Sequence, residues 1–240
     1  MKIALLGYGK MGRIIEKIAL ERGHEIVLKI DVDHSPYDIK TADVAIDFSQ
    51  PDAAFNNLKN CLENGVPVVS GTTGWLSKYD EIVDLCNQKK GAFIYASNFS
   101  IGVNLFFKLN DYLAELISKV EGYHVSIKEI HHIHKLDEPS GTAISLAEQI
   151  LKKTAYSNWQ LASNSDPKED LSGTDTIPII AEREGEIPGV HDVMYKSEVD
   201  QISIIHEASS RKGFALGAVF AAEWLIGKKG VFTMKDVLGI

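Results

Sequence analysis

The chain has 240 residues, of which 45% are hydrophobic and 24% are charged, and its formal net charge is -8. This composition supplies enough core for one large domain or two smaller ones. The acidic balance, with no basic tail, argues against non-specific nucleic-acid binding, so an anionic ligand would need a local basic site.

Neither a membrane anchor nor a disulfide is expected. No apolar run approaches the ~20 residues of a membrane span, and the first strand starts at Lys2, which leaves no room for a signal peptide. Cys61 and Cys86 lack the spacing of a metal site and are predicted to be buried, reduced thiols. We therefore expect a cytoplasmic protein.

The chain opens with a strand, a glycine motif and a helix, in that order. Residues 2–6 form an apolar strand, and the motif Gly-Tyr-Gly-Lys-Met-Gly fills residues 7–12 before a stretch of helical periodicity. Gly7 permits a tight turn, Gly9 lets the backbone approach a pyrophosphate, and Gly12 allows close packing of helix and strand. A glycine motif between a strand and a helix predicts a dinucleotide site. The alternative is that these glycines only form a tight turn.

The next strand, residues 25–30, ends at Asp31. An acid roughly twenty residues beyond the glycine motif commonly binds the ribose hydroxyls of the adenosine half of the cofactor. Asp33 competes with Asp31 for this role. Lys10 lies inside the phosphate loop and could pair with a 2′-phosphate, so both NADH and NADPH remain candidate cofactors.

Strands and helices continue to alternate. Strands are predicted over residues 44–48, 66–70 and 92–96, and helices over residues 51–64 and from Ser77, as the cap, to Lys90. This alternation indicates a parallel sheet that binds its ligand beyond the carboxyl ends of the strands. Three loops at those ends, residues 48–49, 71–74 and 97–99, are candidates for binding the nicotinamide half of the cofactor. Each loop alone could instead serve only to form a turn. The predicted cofactor site comprises Gly7, Gly9, Lys10, Met11, Gly12, Asp31, Phe48, Gly71, Thr72, Thr73, Ser97, Asn98 and Phe99.

The pattern changes after residue 100. A long helix over residues 101–120 precedes a segment rich in strands, interrupted by a polar connector over residues 154–176. We expect an α/β protein with a Rossmann-type parallel-sheet domain, residues 1–98 and 211–240, and a second α+β domain with a mixed sheet, residues 99–210. The final helix, near residues 214–226, is expected to return to the first domain. Few helices are available to cover the second sheet, which favours self-association.

A basic cluster lies where a strand over residues 125–130 meets a predicted helix from Thr142. It contains His131, His132, His134 and Lys135, followed by Ser140-Gly141-Thr142. Free backbone N–H groups at that helix start would favour a carboxylate or phosphate. Neighbouring residues of a strand face opposite ways, so at most one of the first two histidines faces a given pocket.

The same segment contains side chains that could ligate a metal ion. His132 and His134 with an acid such as Glu129 or Asp137 would provide ligands, but no third ligand has recognisable spacing, so we expect no metal. His134 is expected to pack or to form a hydrogen bond.

The motifs, taken together, resemble those of 4-hydroxy-tetrahydrodipicolinate reductases from end to end. The histidine–lysine block with its Ser-Gly-Thr is highly specific, whereas the glycine motif alone fits many dehydrogenases. The segments that carry the resemblance are residues 7–12, 47–49, 71–74, 98–104, 131–135, 139–143 and 208–211.

The resemblance implies reduction of a cyclic dicarboxylate by NADH or NADPH in the lysine and diaminopimelate pathway, by a homotetramer. It also implies that His131 is the general acid, and that Lys135 stabilises charge or donates a proton. One substrate carboxylate would bind Ser140, Gly141 and Thr142, and the other, or the ring nitrogen, would meet Lys135, His132 and Thr73.

Two alternatives stay open. The chain could be another oxidoreductase with the same two-domain plan, such as an amino-acid dehydrogenase. It could also be a regulator that senses nicotinamide cofactors, although it lacks a basic DNA-binding helix.

The residue after Asp31 bears on the choice of cofactor. Some relatives of the resembled family carry arginine at the position of Val32, where it suits a 2′-phosphate, so the local chemistry of this chain favours the ribose diol of NADH.

Overall fold

The computed structural model describes residues 1–31, 37–162 and 175–240. The chain divides into two compact units, residues 1–104 with 212–240, and residues 105–211. The elements in chain order are β1 (Lys2–Leu6), α1 (Lys10–Glu21), β2 (Glu25–Ile30), β3 (Val44–Asp47), α2 (Pro51–Glu63), β4 (Val68–Ser70), α3 (Tyr79–Lys89), β5 (Ala92–Tyr95), α4 (Ile101–Ile117), β6 (His124–His131), α5 (Gly141–Leu151), β7 (Asn158–Leu161), β8 (Thr176–Arg183), β9 (Val190–Lys196), β10 (Gln201–Glu207), α6 (Lys212–Leu225), β11 (Gly230–Phe232) and α7 (Met234–Leu238).

The first unit contains a six-stranded sheet in the order β2-β1-β3-β4-β5-β11, and every strand pair is parallel. Its central strands are buried on both faces, which explains their nearly continuous runs of Ile, Leu, Val and Ala. The Rossmann-type parallel sheet predicted from the sequence is confirmed.

Helix α6 packs in the core of the first unit. It contributes Ala215, Ala218 and Ala222 to the same buried cluster as Ile3 of β1, and it contacts α1. Small side chains allow a close approach, since a Cβ at Gly217 would lie 1.7 Å from the carbonyl oxygen of Phe99.

The second unit contains a five-stranded sheet in the order β10-β9-β6-β8-β7. Strand β6 is antiparallel to β9 and parallel to β8, so the predicted mixed sheet is confirmed. Val125 and Ile127 point to the face on which α4 and α5 pack, with Phe106 and Leu146 in the same core. Among the described residues, no helix is long and apolar enough to cross a membrane.

Several element boundaries differ from the sequence predictions. The expected cap at Ser77 is wrong, because a 3-10 turn over Leu76–Lys78 comes first and Lys78 occupies the cap position of α3 without a side-chain cap. The sequence did not reveal β7, which lies in the polar connector, or the short β11 and α7. Helix α7 begins with a capping box between Thr233 and Asp236.

Candidate active site

The parallel sheet of the first unit brings four loops to one edge. Leu6, which ends β1, pairs with Asp47, which ends β3. Asp47 pairs with Ser70 of β4, and Ser70 pairs with Tyr95 of β5. The loops after these strands therefore follow neighbouring carboxyl ends, where open α/β sheets bind ligands.

The glycine loop fits a dinucleotide. At Gly7, where φ is +93°, a Cβ would lie 2.2 Å from the carbonyl oxygen of Phe48, and a Cβ at Gly12 would lie 2.4 Å from the carbonyl oxygen of Gly7. Apart from its two chain neighbours, no atom of the described residues lies within 4 Å of a Cβ built on Gly9, the N-cap of α1, and that helix has no side-chain cap. Open space beside helix N–H groups suits a pyrophosphate.

A buried carboxylate ties two of these loops together. Asp47 accepts hydrogen bonds from the hydroxyls of Ser49 at 2.7 Å, Ser70 at 3.0 Å and Thr72 at 2.7 Å, and from the amide of Asn57 at 3.1 Å. The Thr72 hydroxyl also accepts from the Ser49 N–H at 2.9 Å. Burial raises the pKa of the Asp47 carboxyl, and the four hydrogen bonds that lower this pKa do not fully offset the effect of burial. The Thr72 side chain is therefore engaged in the hydrogen bonds that join the two loops. The backbone of Thr72 lies just beyond the carboxyl end of β4.

The other predicted cofactor residues differ in exposure. Lys10, Asp31, Thr73 and Ser97 are exposed, and Met11 and Asn98 are half-buried. Two aromatic rings shape the edge, because a Cβ at Gly71 would lie 2.3 Å from the ring of Phe48, whose centroid is 5.8 Å from that of Phe99. Phe99 as a whole residue is only 1% exposed, so it packs in the core beside this edge. Asp33, the competing ribose ligand, lies outside the described residues.

A second buried carboxylate, that of Glu129, lies at the centre of the cluster in the second unit. The register of β6 and β9 places Glu129 opposite His191. Its Oε1 accepts from the Ser140 N–H at 3.0 Å and from Nη2 of Arg183 at 3.2 Å. Its Oε2 lies 3.1 Å from Nδ1 of His131, a contact that falls short of hydrogen-bond geometry. Burial opposes its ionisation, but the contacts from His131 and Ser140 outweigh burial and lower the pKa of Glu129 to about 2.

Arg183 connects this carboxylate to the loop after β6. Its Nη2 donates to the carbonyl oxygen of Asp137 at 2.6 Å, and its Nε donates to that of Lys135 at 3.4 Å. Arg183 therefore holds the loop that carries Lys135 against the Glu129 carboxylate.

His191 and Gly189 define the surroundings of the His131 ring. The two imidazole centroids are 5.0 Å apart, and Nε2 of His191 lies 3.1 Å from the Ser140 hydroxyl. Burial, aided by repulsion from His131, lowers the pKa of His191 to about 4, so this ring is neutral at pH 7. A Cβ at Gly189 would lie 2.9 Å from Nε2 of His131, so a larger residue there would crowd that atom.

The helix start differs from the expectation in one respect. Ser140 is the N-cap of α5, and its hydroxyl accepts from the Ala143 N–H at 3.2 Å. The Ser140 N–H is not free, because it donates to Glu129. The N–H groups of Gly141 and Thr142 lie in the first helical turn, where no partner within the helix is available. These two groups are the anion donors that remain.

Lys135 already has a partner. Its Nζ lies 2.8 Å from both carboxylate oxygens of Asp137, and this ion pair lowers the pKa of Asp137. His132 is half-buried with its ring 6.1 Å from that of His134, which is exposed and lies 3.2 Å from Glu186. A substrate carboxylate would therefore compete with Asp137 for the ammonium group.

The ligand atoms of Glu129, His131 and His191 lie within 4.8 Å of one another, close enough for a metal ion. The Arg183 guanidinium, 3.2 Å from the same carboxylate, would repel a cation there. The Ser140 hydroxyl is within hydrogen-bond distance of Nε2 of His191, so that nitrogen already has a partner other than a metal ion. These contacts favour a hydrogen-bonded cluster, and the absence of a metal stays a prediction.

The predicted catalytic, substrate and cofactor residues do not include Glu129, Arg183, His191 or Gly189, and Glu129 enters the sequence analysis only as a possible metal ligand. A signal for Glu129 was present, because alternation along β6 puts it on the same face as Val125 and Ile127, which are core positions. A carboxylate on a core face needs partners. Arg183 and His191 come from distant strands, and only the sheet register reveals their contact with Glu129.

Known proteins of one family match this chain over nearly all of its length. The family models "Dihydrodipicolinate reductase, N-terminus" and "Dihydrodipicolinate reductase, C-terminus" match residues 35–99 and 102–238. The 4-hydroxy-tetrahydrodipicolinate reductase of Christiangramia forsetii is 54% identical over 99% of this chain and 98% of its own length. The protein of that name from Neisseria meningitidis serogroup B is 33% identical over 100% of this chain and 98% of its own. A dipicolinate-bound dihydrodipicolinate reductase from Paenisporosarcina sp. TG-14 superposes with a TM-score of 0.78 at 25% identity, over 97% of each chain.

The Rossmann-type sheet and these matches define an NAD(P)H-dependent oxidoreductase with a second, mixed-sheet unit. Family models cover more than half of the chain, and a full-length relative is 54% identical. The chain belongs to the dihydrodipicolinate reductase family.

Proposed function

We propose that this chain reduces 4-hydroxy-tetrahydrodipicolinate to tetrahydrodipicolinate in the diaminopimelate route of lysine biosynthesis. Full-length similarity to reductases of that name supports the substrate. The observation that carries the proposal is the second-unit cluster, in which Glu129 contacts both His131 and the start of helix α5. One buried group thus joins an acid–base side chain to an anion-binding helix end.

His131 is the proposed general acid. The bound nucleotide would supply a hydride, and the net reaction also takes up one proton and releases the ring hydroxyl as water. An imidazole ring can carry a proton on either nitrogen and is suited to donating that proton. Lys135 would stabilise the negative charge that grows as the ring is reduced, or would itself donate a proton.

Two anion sites are needed for a dicarboxylate. The N–H groups of Gly141 and Thr142, with Thr142 adding its hydroxyl, are proposed to bind one carboxylate, and Ser140 fixes their orientation as the N-cap. Lys135, His132 and Thr73 are proposed for the other carboxylate or the ring nitrogen. Thr73 belongs to the first unit.

The first unit, here taken as the dinucleotide-binding domain, is proposed to bind NADH or NADPH along the predicted sheet-edge residues. Gly7, Gly9 and Gly12 would admit the pyrophosphate, and Asp31, exposed at the end of β2, would bind the ribose diol of NADH. Lys10 is exposed in the phosphate loop and could meet a 2′-phosphate. Comparison of kcat/KM for the two nucleotides would decide between them.

The second unit, the proposed substrate-binding and oligomerisation domain, is expected to assemble a homotetramer in the cytoplasm. Helices α4 and α5 pack on one face of its sheet. The opposite face carries Ile130, Ile180 and Met194, which are half-buried, and Ile205, which is 62% exposed. An apolar sheet face of this kind is suited to a second copy.

The test is oxidation of NADH or NADPH by the purified protein with freshly made product of dihydrodipicolinate synthase. We expect turnover only when that product is present, and none with amino acids and oxidised nucleotide. Turnover of an amino acid in place of the synthase product would favour the amino-acid dehydrogenase alternative and overturn the proposal.

A further inference from the structure

Glu129 connects the parts of the proposed site that act on the substrate. Its carboxylate contacts Nδ1 of His131, the N–H of Ser140 at the start of α5, and the guanidinium of Arg183. Arg183 in turn donates to the carbonyl oxygens of Lys135 and Asp137. One buried side chain therefore fixes the proposed acid, the anion-binding helix end and the lysine loop.

The atoms of His131 are distinguished by these contacts. Nδ1 faces the carboxylate at 3.1 Å, so the neutral ring would keep its proton there. Nε2 lies beside Gly189, where a Cβ would come within 2.9 Å of it, so the glycine leaves this atom uncrowded. The proton that leaves His131 would therefore leave from Nε2.

The charges around the ring favour this arrangement. Glu129 is anionic and fully buried, so its carboxylate attracts a proton on the facing Nδ1 atom. His191 is neutral at pH 7 and the Lys135 ammonium is paired with Asp137, so neither strongly opposes a charge on His131. The titratable or charged groups facing His131 are Glu129 of β6, Arg183 of β8, His191 of β9, and Lys135 and Asp137 of the loop after β6.

We infer that Glu129 is a positioning residue of the reduction, whose negative charge, 3.1 Å from Nδ1 of His131, keeps the proton of the neutral ring on Nδ1 so that Nε2 carries and delivers the catalytic proton. This inference rests on the proposed function for the role of His131 as the acid. Glu129 itself is not expected to touch substrate or cofactor, and it acts through His131 and the helix start.

Glu129→Gln is the sharpest variant. Glutamine keeps one oxygen to accept from Ser140 and Arg183, but it turns an amide N–H group toward Nδ1 of His131, which must then accept. We expect kcat at neutral pH to fall about tenfold or more, and the alkaline limb of the kcat profile to move to lower pH by about one unit. KM for the nucleotide should change less than twofold.

Glu182→Gln is the matched control. Glu182 lies on β8 next to Arg183, but it points to the opposite face and pairs with Lys128 at 2.9 Å. Its variant should leave kcat and the pH profile unchanged. If Glu129→Gln does not fold, Glu129→Asp keeps the charge, and we expect it to lower kcat without moving the alkaline limb.

The wild-type enzyme provides a readout that does not depend on activity. In ¹⁵N-histidine NMR, the His131 signal, identified by its loss in His131→Asn, should show a neutral ring protonated at Nδ1. A neutral ring protonated at Nε2 would overturn the inference even if every variant failed to fold. If wild-type enzyme reduces the substrate while Glu129→Gln keeps an unshifted pH profile, this inference fails and the proposed function stands. If the wild-type enzyme does not reduce the substrate, the proposed function is wrong, and the inference about Glu129 is then tested by the NMR measurement alone.

Discussion

At the residue scale, two neighbouring groups have different proposed tasks. Lys135 would meet charge that develops during the reaction, whereas Thr142 would hold a carboxylate whose charge is constant. Only an interaction that strengthens in the transition state raises kcat. The two side chains can therefore be separated by kinetics.

We predict that Lys135→Ala lowers kcat by ~10²–10³-fold, as is typical for loss of one electrostatic stabiliser. Thr142→Val should raise KM for the dicarboxylate and leave KM for the nucleotide nearly unchanged. Lys128→Ala, which removes a lysine from the opposite face of the same sheet, is the control. Steady-state kinetics check all three, and a near-normal kcat for Lys135→Ala would contradict this division of roles.

His191 predicts how stability depends on pH. Its pKa in the folded protein is about 4, mainly because of burial, below the ~6.5 of an exposed histidine. The unfolded chain therefore binds a proton first as pH falls, and the stability that comes from keeping His191 neutral is present above pH ~6.5 and lost toward pH 4.

Urea unfolding at pH 7 and pH 5 measures this effect. The His191 contribution to the loss of unfolding free energy between these two values should be about 2 kcal/mol. His191→Gln should have a smaller dependence over the same interval, while His134→Gln, at an exposed position, should behave like wild type. Equal slopes for wild type and His191→Gln would show that His191 is not the source.

At the element scale, the strands and helices could be predicted because their signals are local. Apolar runs for β1 and β3 and the Pro51 start of α2 specify elements without reference to the rest of the chain. Strand β11 has three residues and is formed by pairing with β5, which no local pattern reveals. The Glu129 contacts were missed for the same reason, since β8 and β9 bring Arg183 and His191 to it from more than fifty residues away.

Helix α6 gives a test of close packing. Gly217→Ala would place a Cβ 1.7 Å from the carbonyl oxygen of Phe99, so we expect a loss of unfolding free energy of about 2–3 kcal/mol. Gly213→Ala lies in the same helix, and its Cβ would meet nothing closer than the Ser100 hydroxyl at 3.7 Å. That variant should be neutral or slightly stabilised, because alanine favours a helix over glycine. Thermal unfolding of both checks the contrast, and equal melting temperatures would contradict it.

At the scale of the whole molecule, the proposed tetramer depends on the open face of the second-unit sheet. Ile205→Glu puts a charge at an exposed apolar position of that face. We predict that light scattering of wild type gives four times the chain mass of 26.5 kDa and that the variant gives a smaller assembly. Leu20→Glu, at an exposed position of α1 in the first unit, should remain a tetramer. A wild-type mass of one chain at micromolar concentration would exclude the assembly.

On this enzyme, hydride from the nucleotide is expected to reach the ring of a cyclic dicarboxylate. Nucleotide carrying deuterium at the transferable position, supplied with synthase product, tests it directly by mass spectrometry of the reaction product. We expect tetrahydrodipicolinate that is one mass unit heavier than the product made with ordinary nucleotide. Oxidation of the nucleotide without deuterium in that product would contradict the account.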